Sequence, residues 1–458
     1  MKKIKNRAVA VLLLAALVAL GLGLFVVRLA INGSAWAAVA SAQGAGVSSG
    51  AANAKGTLTD RHGVVLAGVT DGRRTFADSE EVRTATLHAV GDTAGNIGTG
   101  AMKLFASDLI GYNFITGAYS WTGEGRTLAL SIDAYLNVEA YKALDGRRGA
   151  VMVMDYVTGE VLCMVSSPSF DPADPPKNID ADPAYEGVYL NRAISAAYTP
   201  GSVFKLLTAA AAIENIPDIS SRVFNCEGTL ETGHGTVVCA GVHGEISFKD
   251  AFAASCNSAF GEIALILGAD TLEEYAVKYG LTQSLTINGV ATARGSFKKA
   301  KPNTADLAWS GVGQHGDLVC PAAVLRFVGA IANGGVAAKM ELIARSGLSG
   351  FLTGMLPGPL PFTGNRIMDK DTAAQLGAMM GYNAEKTYGA DNYPGLELHA
   401  KTGTAEVGPD SKPHSWFAGY ITNDGYPLAF VVIVENGGSG ASTAGPIANK
   451  VLQLAIRS

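Results

Sequence analysis

Three short groups of polar residues, widely separated in the chain, have the types and spacing needed for acyl transfer. Ser202 and Lys205 lie three positions apart near the start of residues 198–215, a stretch otherwise rich in Leu, Ala and Ile. A lysine is costly to bury unless it is partnered or neutral, and a desolvated lysine can take a proton from a serine hydroxyl. Ser255 and Asn257 flank Cys256. A second serine can relay a proton to a leaving amine, and an asparagine can hold both an amide and a lysine. The third group, Lys401-Thr402-Gly403-Thr404, contains the sole Lys-Thr-Gly in the chain. Lys401, Thr402 and Thr404 on an edge strand suit a substrate carboxylate, and Gly403 would let a substrate backbone lie close. Each group alone also has an ordinary structural reading: a helix cap with a snorkelling lysine, a turn, a strand end. A second Ser-x-x-Lys, Ser296 with Lys299, has no apolar helix after it and reads as a solvated loop.

The elements that must position these groups are legible in part. Thr199, Pro200 and Gly201 break the chain before Ser202, and the run that follows leaves almost no polar face, which predicts a buried central helix. Ile216-Pro217 ends it, because a residue before proline is biased away from helical angles. Residues 149–155 and 160–166 read as a β-hairpin covered on both faces, turning at Val157-Thr158-Gly159. A strand over 126–132 precedes a helix capped by Asp133 and running to Leu144. Residues 245–257 are expected to form a helix ending in a polar turn, with another helix starting at Ser258. Three strands return at 396–406, 415–421 and 426–435, followed by an amphipathic helix over 446–457 with Pro446 in its first turn. These elements predict an α+β fold: one antiparallel sheet with helices packed against it.

Length and composition set the frame. A chain of 458 residues holds two or three domains, and 48% hydrophobic against 16% charged residues describes a globular enzyme rather than a disordered chain. A net charge of −5 carries no nucleic-acid footprint. Lys2, Lys3, Lys5 and Arg7 precede an uncharged apolar run over 8–27 that Arg28 closes. That predicts a cytoplasmic tail (1–7), a membrane anchor (8–28) and an external remainder; the alternative is a signal peptide cleaved near Ala35-Trp36-Ala37. A Gly/Ala/Ser-rich spacer (29–54), an accessory domain (55–124) opening on a hairpin that turns at 60–63, and a main domain (125–458) follow. Among the five cysteines, Cys226 and Cys239 could close a disulfide; with His234 and His243 they could also hold zinc, the weaker alternative without a Cys-x-x-Cys pair. Cys163, Cys256 and Cys320 read as buried free thiols.

The three motifs in this order resemble the class B penicillin-binding proteins, whose transpeptidase domain carries them. Residues 55–67 look like the opening of that family's ectodomain, and residues 149–171, including Ser167-Pro-Ser-Phe-Asp171, are similar to its first hairpin. Gly313-Gln314, Pro321, Ala332-Asn-Gly-Gly335 and Trp416-Phe-Ala-Gly-Tyr420 match later landmarks. The resemblance implies the penicillin-binding/serine transpeptidase fold: about five antiparallel strands with helices on both sides, and an α-rich subdomain. It implies a peptidoglycan D,D-transpeptidase with Ser202 as nucleophile, Lys205 as its base, and an oxyanion hole from the N–H groups of Ser202 and Thr404. Ser255 would protonate the departing D-alanine, Asn257 would hold the stem peptide and Lys205, and Lys401, Thr402 and Thr404 would bind the terminal carboxylate. It implies no cofactor and no metal, with peptidoglycan stem peptides, β-lactams and a lipid-II polymerase of the elongation or division machinery as partners. Residues 68–124 match poorly, and Cys256 has no part in the scheme. The rivals on one fold are a D,D-carboxypeptidase and a serine β-lactamase; outside enzymology the rival is a cell-wall scaffold. A class A β-lactamase glutamate would require Glu-x-x-Leu-Asn, and Glu262 with Leu265 has Ile266 where the asparagine belongs.

Overall fold

The computed structural model describes residues 2–44, 56–110, 125–344 and 364–457. Its frame is a five-stranded antiparallel sheet in the order Leu398–Ala405, His414–Ile421, Leu428–Val434, Gly149–Asp155, Val161–Ser167. The early hairpin and the three late strands therefore join edge to edge, through Leu428–Val434 against Gly149–Asp155. Every residue of Leu428–Val434 is buried, which explains why its apolar run shows no alternation: helices cover both faces. On one face lie the helices Ala134–Leu144 and Gly445–Ala455, and on the other Pro321–Ala332 and Lys370–Asn383. Leu398–Ala405 is left as an edge strand.

Asp133 caps Ala134–Leu144 as its sequence position predicts, accepting the Leu136 N–H. The central helix also forms where expected, opening as a 3₁₀ turn, Gly201–Phe204, and continuing as Lys205–Asn215 to a cap at Ile216. Two expectations change. Residues 244–247 are strand, paired with Val223–Cys226, and the helix starts only at Phe248, where Ser247 caps it by accepting the Asp250 N–H. The first helix runs from Lys2 through Gly44, so the first part of the expected spacer is helical; its alanines favour that state. Within it Lys5–Arg28, 24 residues containing an 18-residue window of mean hydropathy 2.9 with none of that window buried, is long and apolar enough to cross a bilayer.

The accessory part forms a four-stranded sheet in the order Arg73–Phe76, Val65–Thr70, Thr57–Thr59, Thr127–Ala129. Thr127–Ala129, from beyond the expected domain boundary, pairs in parallel with Thr57–Thr59. The turn at 60–63 closes on Asp60, whose carboxylate accepts the N–H groups of His62, Val64 and Ala134, tying this sheet to the main domain.

Candidate active site

The three motifs converge on one cavity of about 680 Å³. Ser202, Ser255, Asn257, Thr402 and Thr404 all line it, with Val238–Ala240 on one side and Trp309, Val312, Gln314 and His315 on another. Lys205 and Lys401 do not line it; both are fully buried behind the serines.

Tertiary packing explains how chain segments 200 residues apart meet. The backbone before Ser202 is fastened to the sheet by Trp416, whose indole N–H donates to the Thr199 carbonyl at 2.9 Å. Tyr198 packs edge-on against Trp416 and donates to Glu435, which also accepts from Arg192. Gly201 has a positive φ of 54°, and a Cβ there would lie 2.8 Å from the Thr404 carbonyl. Glycine is thus required for the helix start to touch the edge strand. Gly403 serves the same contact from the other side: a Cβ would lie 2.8 Å from the Pro200 carbonyl and 3.0 Å from Val203. Strand–helix packing alone therefore requires glycine at this position.

The second motif sits between two helices, Phe248–Ala253 and Asn257–Lys278, and Ser255 takes φ 54° to make that turn. Left-handed backbone at a serine is strained and persists because its surroundings hold it. Lys205 Nζ donates to the Ser255 carbonyl at 2.5 Å and to Asn257 Oδ1 at 2.8 Å, and lies 3.1 Å from Ser255 Oγ. Lys401 Nζ donates to the same Ser255 Oγ at 3.0 Å and to the Thr402 carbonyl at 3.1 Å. Burial, and after it the charge of Lys401, pushes the Lys205 ammonium well below the usual lysine range. Burial alone brings Lys401 down to about 7. Two ammonium groups cannot both donate to one hydroxyl cheaply, so the pair favours a neutral Lys205. A neutral amine satisfies the Ser255 carbonyl and Asn257 with its two N–H groups and keeps a lone pair to accept a proton.

Tyr388, which carried no signal in the sequence, supports the third motif. Its hydroxyl accepts the Thr402 N–H at 2.7 Å, lies 3.1 Å from Thr402 Oγ1, and is held by Asn383 at 2.9 Å. Trp309 and His315 are likewise cavity residues beyond the motifs. Glu262 pairs with Arg222 and does not line the cavity. The second Ser-x-x-Lys is surface, with Ser296 and Lys299 exposed and Lys299 paired to Asp270 and Glu273.

Three of the cysteines stand as expected, and the open question of Cys226 and Cys239 is answered without a disulfide. Cys226 and Cys239 are free thiols, as are Cys163, Cys256 and Cys320, and all five are buried. Cys226 and Cys239 cluster with His243 and with Cys256, whereas His234 is exposed and outside the cluster.

Residues 149–453 match the family profile described as penicillin binding protein transpeptidase domain. The peptidoglycan D,D-transpeptidase PbpA of Mycolicibacterium smegmatis is 30% identical over 347 residues, which is 68% of this chain and 67% of that protein. The ceftriaxone acyl-enzyme of penicillin-binding protein A from Mycobacterium tuberculosis superposes with a TM-score of 0.73 at 25% identity, covering 88% of this chain and 99% of that one. A D,D-transpeptidase domain from Eggerthella lenta gives 0.74 at 26% identity, over 88% and 98% of the two chains. A buried lysine pair around one serine, on this sheet and with these relatives, makes the chain a member of the penicillin-binding protein transpeptidase family, of the class B D,D-transpeptidase type.

Proposed function

We propose that the cavity cross-links peptidoglycan stem peptides through an acyl-enzyme on Ser202. The observation that carries this is the Lys205–Ser255–Lys401 network, buried immediately behind a cavity-lining serine. Ser202 Oγ attacks the penultimate D-alanine carbonyl while its proton passes to neutral Lys205. The oxyanion forms against the N–H groups of Ser202 and Thr404, a reading supported by the close approach of Gly201 to the Thr404 backbone. Collapse breaks the C–N bond, and the departing D-alanine amine takes a proton through Ser255, which Lys205 reprotonates. An amine of a neighbouring stem then attacks the ester, forming the cross-link amide and returning a proton to Ser202. Asn257 holds Lys205 and the stem backbone. Thr402 and Thr404 present hydroxyls to the terminal carboxylate, while Lys401 supplies positive charge from behind Ser255. β-Lactams acylate the same serine.

The apolar N-terminal helix anchors the protein in the cell membrane, with the cavity outside the cytoplasm, as its flanking lysines direct. A lipid-II polymerase of the elongation or division machinery is the proposed partner.

Intact mass of the full-length protein exposed to benzylpenicillin for hours tests this reading. A persistent adduct absent from Ser202→Ala is the expected result. An adduct that disappears within minutes would make the protein a β-lactamase, and no adduct at all would overturn the acyl-transfer assignment.

A further inference from the structure

Behind the cavity wall at Val238–Ala240 lies a group of side chains that the acyl-transfer scheme does not use. The Sγ atoms of Cys226, Cys239 and Cys256 and a ring nitrogen of His243 lie within 4.8 Å of one another. Cys239 and Cys256 sulfurs are 3.8 Å apart, and His243 Nδ1 stands 3.3 Å from Cys226 Sγ and 3.6 Å from Cys239 Sγ. Zinc bond lengths of about 2.3 Å to sulfur and about 2.0 Å to imidazole imply tetrahedron edges of about 3.8 Å between sulfurs and about 3.5 Å from sulfur to nitrogen. The observed spacings are close to those edges. A sulfur–sulfur distance of 3.8 Å is not a bond, since a disulfide requires about 2.05 Å.

The fold delivers these ligands deliberately. Cys226 ends one strand, Cys239 follows Thr236–Val238, and His243 immediately precedes Gly244–Ser247. Gly244 pairs in register with Cys226, so His243 arrives beside it. Cys256 caps the helix Asn257–Lys278 and accepts the Ala259 N–H, which fixes its sulfur at the 255–257 turn. Two-stranded pairs of three or four residues are marginal on their own, and a metal that closes their loops supplies the missing order.

We propose that Cys226, Cys239, His243 and Cys256 bind one zinc ion, which fastens the two small strand pairs to the 255–257 turn. Thiolate and imidazole donors in a tetrahedron select zinc over calcium or magnesium. Four protein ligands leave no open position, so the ion is structural and takes no part in bond making. Its reach into the active site is short: Cys239 Sγ accepts the Asn257 N–H at 3.2 Å, and Asn257 and Ser255 are the acceptors that hold Lys205. That positioning effect rests on the acyl-transfer reading above; the metal site does not.

The test uses full-length protein purified in detergent under reducing conditions, equilibrated with zinc and dialysed free of excess. The expected result is about one zinc per chain by elemental mass spectrometry, exchangeable for cobalt with the visible and near-ultraviolet bands of tetrahedral thiolate coordination. Cys226→Ser and His243→Gln should lose at least about tenfold in zinc affinity, and Cys163→Ser should lose none. Wild-type protein that takes up neither zinc nor cobalt, or whose peptides show Cys226 disulfide-bonded to Cys239, would overturn the proposal whatever the variants do. Stripping the zinc from wild type should slow acylation by benzylpenicillin on the order of 100-fold, with recovery on zinc readdition. Unchanged acylation would end the positioning role and keep the metal site, while failure of the zinc-loaded enzyme to acylate would count against the acyl-transfer reading alone.

Discussion

Ser255 Oγ receives two buried lysines, and that sharing sets the chemistry at the scale of single residues. The linkage of Lys401 to stability has a definite sign. Its proton is held only below about 7 in the folded protein but up to the ordinary lysine value in the unfolded chain. Between those limits the unfolded state binds more protons, so stability from this group climbs with pH and is lost as pH falls toward 7. Below 7 the burial penalty stands in full, at most about 5 kcal/mol. Lys401→Met should therefore abolish acylation yet raise the melting temperature, and the gain should be largest near about pH 6 and fade toward pH 10. A gain that is constant across thermal melts in this range would show that Lys401 does not change its charge on folding. Acylation in wild type should rise with pH as Lys205 loses its proton, because only the neutral amine can serve Ser202.

At the scale of elements, the site depends on how closely the start of the central helix meets the edge strand. Gly201 and Gly403 face that contact from opposite sides, each within 3 Å of backbone once a Cβ is added. Gly403→Ala must push the Pro200 carbonyl or Val203 away. The expected cost is about 1–3 kcal/mol in denaturant unfolding and on the order of 100-fold in acylation, with little change in β-lactam binding before the bond forms. Equal losses in binding and acylation would instead mean that the strand itself had been disrupted. The edge position of Leu398–Ala405 also leaves room for an extended peptide alongside it, the arrangement that strand addition requires.

At the scale of the whole molecule, the accessory part is joined to the main domain by paired sheet, shared core and one bidentate ion pair. Arg83, on the helix Glu80–Val90, grips both oxygens of Asp171 at 2.7 and 2.6 Å, and both side chains are largely buried. Ser169 adds a hydrogen bond to the Thr84 carbonyl, so the Ser167-Pro-Ser-Phe-Asp171 landmark is the seat of this helix rather than part of the cavity. Arg83→Ala should cost about 2–3 kcal/mol and expose the 80–90 helix to limited proteolysis, while acylation at low temperature stays near wild type. A variant that lost acylation while resisting proteolysis would show that this joint reaches the cavity directly.

The sequence by itself determined most of the elements around the cavity and singled out the three motifs that meet there. Apolar runs, caps such as Asp133 and breakers such as Pro217 act locally, so the hairpin, the central helix and the three late strands were legible where they stand. It misjudged residues 245–247, because a strand that short is defined by its partner, here Val223–Cys226, and not by its own periodicity. Only the tertiary structure decided that both lysines meet on Ser255, that Tyr388 supports Thr402, and that Gly403 serves packing. It also left Cys226 and Cys239 unbridged and placed them in a four-residue cluster with His243 and Cys256, in which Cys256 stands where the sequence had offered His234. Such groupings join residues far apart in sequence, and spacing along the chain says nothing about distances that only packing fixes.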